Sequence, residues 1–185
     1  MSTVVKREWL KLAYPAIEAR IRNNSDEQKK ILRAFQNASK GWKALRTALD
    51  SKGSLVETIE AFRIKLRDYT VAWSTCQMYC EALSKQMDAD VHGLYSALNS
   101  DRIDEGSGYQ DAIWRERLRG SLAALAVQRG TLEIIRVSCD THLEVVKDSD
   151  HMLELALEES DLTRLNNLCL KLEAMDSFNR PKKDK

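Results

Sequence analysis

The sequence predicts an all-α protein, an elongated antiparallel bundle of long, partly coiled-coil helices, and three observations carry that reading. Turn-forming residues are scarce, 7 Gly and 2 Pro in 185 residues, too few for a fold with a hairpin about every ten residues. From Leu55 to Met87 the apolar positions alternate spacings of four and three without a miss, which is a heptad seam. A second apolar stripe at helical spacing occupies residues 111–147.

In chain order, the first segment reads as a basic amphipathic helix. Val5, Trp9, Leu12, Ala13, Ala16, Ile17 and Ile21 share one face on a helical wheel, opposed by Lys6, Arg7, Lys11, Glu18, Arg20 and Arg22. Pro15 in its middle favours two short pieces over one smooth rod. Ser25 and Gln28 have the form of a capping box and open a predicted helix that runs to about Asp50, where Ser51, Lys52 and Gly53 stop it. Ser54 and Glu57 repeat the device. The helix they open runs from residue 55 to 98 through Leu55, Ile59, Phe62, Leu66, Tyr69, Trp73, Cys76, Cys80, Leu83 and Met87. Asp90 falls on the next seam position and breaks the stripe; Val91, Leu94 and Leu98 resume it one residue late, so a kink or a change of packing partner is expected near residues 88–93.

Asn99 to Gln110 has no periodicity and reads as the clearest long loop. The next helix carries Trp114, Leu118, Leu122, Leu125, Leu132, Ile135, Cys139, Leu143 and Val146, with Gly120 and Gly130 inside it. Ser149 is a candidate N-cap for a last helix carrying Met152, Leu153, Leu157, Leu162, Leu165, Leu168, Leu172 and Met175, although one helix or two over residues 111–176 both fit. One helical-bundle domain over residues 1–178 and a disordered polar tail over 179–185 complete the layout. A helix of 44 residues is roughly 66 Å long. A compact chain of this length has a radius of gyration of only about 16 Å, hence the elongated expectation.

Chemistry is thinly represented. Cys76, Cys80, Cys139 and Cys169 are too few for a disulfide scaffold and lie within helical patterns, which suits reduced thiols in a cytoplasmic or nuclear compartment, the cytoplasm being the default. No window is apolar enough for a signal peptide or a membrane span. Cys76 with Cys80 and Cys139 with His142 have spacings that could assemble a zinc site, yet the seam places the first pair in core positions, and core packing is the better reading. The residues three before each histidine are Ala89, Cys139 and Asp148, so the Glu-x-x-His of di-iron bundles is missing, as are the phosphate-loop, dinucleotide, zinc-protease and hydrolase motifs. The chain is expected to be no enzyme, with no cofactor, no metal and no small-molecule substrate.

Charge is unevenly spread although the net value is +1. Residues 1–67 hold 15 Lys/Arg against 7 Asp/Glu, while residues 148–178 hold 2 against 8. The candidate interaction surface is therefore Lys6, Arg7, Trp9, Lys11, Arg20, Arg22, Lys29, Lys30 and Arg33. Its complement could be the acidic last helix, with Glu154, Glu158, Glu159 and Asp161, in the same chain or a second copy. Anionic lipid is the second possibility and nucleic acid a weaker third. The expected function is a non-catalytic helical scaffold or adaptor that mediates homo- or hetero-oligomeric contacts through long coiled-coil helices. The alternative comes from layout: three long helices with an amphipathic N-terminal helix resemble the crescent-shaped BAR family, and that resemblance of architecture implies antiparallel dimerisation and binding to anionic membranes through the basic N-terminal third.

Overall fold

The computed structural model describes residues 4–103 and 108–176, with only the backbone at Tyr109. Helix accounts for 88% of the described residues, so the all-α expectation holds, and long helices pack against one another. The elements are β1 (Val4–Val5), a π-helical turn (Trp9–Ala13), α1 (Tyr14–Ser39), α2 (Trp42–Leu49), α3 (Leu55–Leu98), β2 (Arg102–Ile103), α4 (Gly108–Val146), α5 (Ser149–Glu159) and α6 (Thr163–Met175). The chain divides into two compact units, Met1–Lys30 with Tyr79–Ile134, and Ile31–Met78 with Ile135–Lys185. The polar tail over 179–185 lies outside the described residues.

The capping box before α3 forms as its sequence dictates. The Ser54 backbone N–H donates to Glu57 Oε2 and the Glu57 N–H donates to Ser54 Oγ, each at 3.2 Å, which satisfies two donors the helix start would leave orphaned. The matching pattern at Ser25 does not form. Ser25 sits inside α1, where its neighbours' N–H groups are already bonded within a helix that began at Tyr14. The break falls instead at Lys40 and Gly41, because the chain there passes against the ring of Tyr69: a Cβ on Gly41 would lie 2.7 Å from Tyr69 Cδ2.

Pro15 occupies the second residue of α1 and follows the π-helical turn. Proline has no N–H and its ring crowds the carbonyl four residues back, so a wider turn is a local solution to both problems. The wider turn also moves the apolar face. Leu10 and Tyr14 are buried, whereas Leu12, assigned to that face on a regular wheel, is 73% exposed.

In the first unit, the order of paired residues runs oppositely on α3 and α4: Leu98 is met by Arg115, Asp88 by Arg129. Arg115 holds the end of α3 by donating to the carbonyls of Leu98 at 2.8 Å and Ser100 at 3.0 Å, with its Nε on Asp111 at 2.7 Å. The expected loop over residues 99–110 is shorter than predicted. Arg102 and Ile103 pair in parallel with Val4 and Val5, and α4 starts at Gly108; residues 104–107 of that loop lie outside the described part.

The break expected at Asp90 is absent. The buried stripe of α3 continues through Met87, Asp90, Leu94 and Ala97 at the same spacings. A carboxylate can hold that core position because Arg20 reaches it in a two-pronged ion pair, Nε to Oδ2 at 3.0 Å and Nη2 to Oδ1 at 2.7 Å.

In the second unit, α2 packs on α6 and α5 on α6. Trp42 Nε1 donates to Asp176 Oδ2 at 2.8 Å, and Arg46 hydrogen-bonds Asn166. The final helical pattern is two helices rather than one. Ser160 closes α5 in the left-handed region at φ 51°, and Asp161 restarts the chain by accepting from Thr163 N–H at 2.9 Å.

Candidate interaction surface

The predicted basic surface divides in the structure. Its residues Lys6 to Lys30 belong to the first unit and Arg33 to the second. Lys6, Arg7, Lys11, Arg22, Lys29, Lys30 and Arg33 are exposed. Lys29 and Lys30 lie 4.0 and 3.1 Å from Asp26 and Glu27 on their own helix, pairs that screening keeps weak. Arg20 is committed inward: the hydrogen bond to Asp90, then the Asp90 charge, raise its pKa against the cost of burial.

Trp9 is half-buried and faces the chain's own interior. Its ring lies 5.9 Å from that of Tyr14, which meets Trp114 edge-on at 5.5 Å, and the Tyr14 hydroxyl shares a hydrogen bond with Ser121 Oγ at 3.1 Å. The Arg117 guanidinium lies over both Tyr14 and Trp114, 5.2 and 4.7 Å from the ring centroids, and pairs with Glu18 at 3.0 Å. The amphipathic face of the first segment is therefore consumed within the first unit, by Val5, Leu10, Tyr14 and Ile17.

An outward apolar face does exist, on α4. Leu118, Leu125 and Leu132 point into the first unit at seven-residue spacing and are buried. On the opposite side of the same helix, Ile113, Gly120, Val127 and Ile134 repeat the spacing, all exposed, with Ala123 and Gly130 between them. Val127 is 73% and Ile134 is 74% exposed. A Cβ added to Gly120 or Gly130 would meet nothing within 4 Å among the described residues. Packing among the described residues gives no reason for glycine at two helix-interior positions, where each costs roughly 0.5–1 kcal/mol relative to alanine. Sequence reasoning missed this face because the stripe ending in Val146 claimed the helix first. The signal was present as the apolar residues left off that stripe.

The second unit holds a buried polar cluster. Tyr69 and His142 share a hydrogen bond of 2.8 Å between the hydroxyl and Nδ1, and the imidazole stacks on Trp73 at 3.9 Å with 10° between planes. Phe35 meets Trp73 edge-on at 5.5 Å. Burial pushes the His142 pKa down to about 4, partly opposed by the Asp176 charge, and burial raises that of Tyr69. The ring is neutral at pH 7 and 3% exposed. Trp73 Nε1 is buried with no hydrogen-bond partner among the described residues.

All four cysteines are buried thiols outside any disulfide, and burial raises the Cys169 thiol to about 11, where it is unreactive. Cys76, Cys139 and His142 belong to the second unit and Cys80 to the first. Among the described residues, no three His, Cys, Asp or Glu side chains gather as a metal site, and no helix is long and apolar enough to cross a membrane. Comparison with protein families, curated proteins and solved structures yields no match for this chain.

Proposed function

We propose that the protein is a non-catalytic helical scaffold that works through coiled-coil contacts, and that its first partner is a second copy of itself, docked along the outer face of α4. The observation that carries this reading is the exposed heptad stripe through Val127, with two glycines that packing among the described residues does not require. The stripe is close to self-complementary. Run against its own reverse, Gly120 faces Gly130 of the second copy and Ala123 faces Val127. Small residues at the centre let two helix backbones approach closely. The same register brings Arg119 beside Glu133 of the other copy at both ends, and both residues are exposed.

Light scattering on the full chain tests the proposal. We expect a dimer at micromolar concentration that becomes monomeric, with unchanged helicity, in the Val127→Glu, Ile134→Glu double variant. A monomeric wild-type chain at the same concentration refutes self-association. Salt-sensitive sedimentation with anionic vesicles would instead support the membrane-binding alternative implied by the basic N-terminal third.

A further inference from the structure

The second unit contains a cleft of about 460 Å³, in the size range of small-molecule sites, where α3, the end of α4 and the start of α5 converge. Its floor is apolar, formed by Leu66, Val146 and Leu153, and its rim carries Arg63, Arg67 and Lys147. Arg63 and Arg67 are one helical turn apart and share a face of α3. The cleft is also lined by the start of α5, an 11-residue helix whose preceding residue, Asp148, makes no side-chain capping hydrogen bond. The backbone N–H groups of Ser149, Asp150 and His151 have no carbonyl one turn earlier within the helix and so can donate to a ligand, beside the carboxylates of Asp148 and Asp150.

A second observation points to a ligand. Ser149 lines the cleft, is only 9% exposed, and its hydroxyl makes no hydrogen bond among the described residues. Arg67 is exposed and likewise has no ion pair there. The other two cations are partly neutralised on their own helices, Arg63 by Glu60 at 3.6 Å and Lys147 by Glu144 at 2.5 Å. Asp150 is the one acidic residue of the lining, which leaves the cleft with a formal charge of +2.

We propose that this cleft binds a phosphate monoester carried on a small apolar body. The dianionic phosphate would take the Arg67 guanidinium on one side and the Ser149 hydroxyl with the α5 N–H groups on the other, a combination suited to its several acceptor oxygens. The apolar body would cover Leu66, Val146 and Leu153. A planar carboxylate has one charge fewer and matches the cleft less well.

Phenyl phosphate is the probe, with inorganic phosphate and phenol as its two halves, titrated into the full chain and followed by amide resonances and calorimetry. Phenyl phosphate should bind more tightly than inorganic phosphate, phenol should not bind, and the shifted amides should be those of Ser149, Asp150 and His151. Arg67→Glu should weaken binding at least tenfold and Ser149→Ala several-fold. No binding at millimolar phenyl phosphate overturns the proposal, as do shifts that map elsewhere or an Arg67→Glu affinity equal to that of the wild type. Capture by vesicles carrying phosphatidate without binding of soluble phenyl phosphate also overturns it, in favour of a membrane surface. The mapped shifts on the unaltered chain decide the matter even if a variant fails to fold. Because every residue involved lies in the second unit, the Val127→Glu, Ile134→Glu variant should keep full phosphate affinity, which separates this test from that of self-association.

Discussion

The two units bury polar groups in opposite ways. The first places a full carboxylate, Asp90, on the core stripe of α3 and answers it with Arg20; the second uses the neutral pair Tyr69 and His142, closed over by Trp73. An ion pair keeps both charges across ordinary pH and depends on the approach of its partner. A neutral aromatic pair has no charge to desolvate, but it fails when acid forces a proton onto the imidazole. The units should therefore respond to different insults, and four experiments test that difference.

The largest effect is expected from Trp73→Ala, which removes the ring that stacks on His142 and meets Phe35. The fully buried indole leaves a cavity, and chemical denaturation should register a loss of about 3–5 kcal/mol. A near-neutral midpoint would mean the cluster contributes little to the second unit.

Acid should come next. His142 titrates near 6.5 when unfolded and near 4 when folded, so between those values the unfolded chain binds the extra proton. Stability is complete above pH 6.5 and falls as pH drops toward 4, by on the order of 3 kcal/mol for a group this well buried. The measurement is the difference in denaturation free energy between wild type and His142→Gln, which should shrink across that window. A constant difference would remove His142 as the acid-sensitive group.

Arg20→Ala should cost about 2 kcal/mol, less than a fully buried pair, because the Arg20 side chain is 36% exposed and solvent screens it while Asp90 is 5% exposed. Pairing Arg20→Met with Asp90→Leu should recover most of that loss. If the double variant is as unstable as the single one, the Asp90 position is demanding shape rather than charge balance. The smallest change is Ser54→Ala at the start of α3, about 1 kcal/mol from the lost cap, readable as a modest drop in melting temperature. Ser25→Ala should leave the melting temperature where it was, since Ser25 caps nothing.

That last contrast shows why sequence reading succeeds at one serine and fails at the other. Ser54 and Ser25 are each followed three residues later by a residue able to complete a capping box. Only the first follows a chain break. A helix that has already begun offers no orphan N–H groups to cap, and the local pattern carries no record of whether it has begun.

The basic surface shows the same limit for function. Residue type alone marked Arg20 and Trp9 for an external partner, but a carboxylate 70 positions away and the Tyr14 ring claim them inside the first unit. The outer face of α4 was visible as apolar residues off the main stripe, but its exposure was not. A helix with apolar residues on two sides does not itself say which side the rest of the chain will cover.

By itself the sequence determined the all-α class, the span of α3 from Leu55 to Leu98 and most of the α4 span, because these follow from spacing and capping, which are properties of neighbouring residues. Tertiary structure alone decided that Asp90 continues the core stripe, that Gly41 ends α1 against Tyr69, that Ser160 takes a left-handed turn without glycine, and that Ser149 and Arg67 face one cleft. Each of these depends on groups brought together from distant positions or on strain that surrounding contacts sustain, and no local periodicity encodes either.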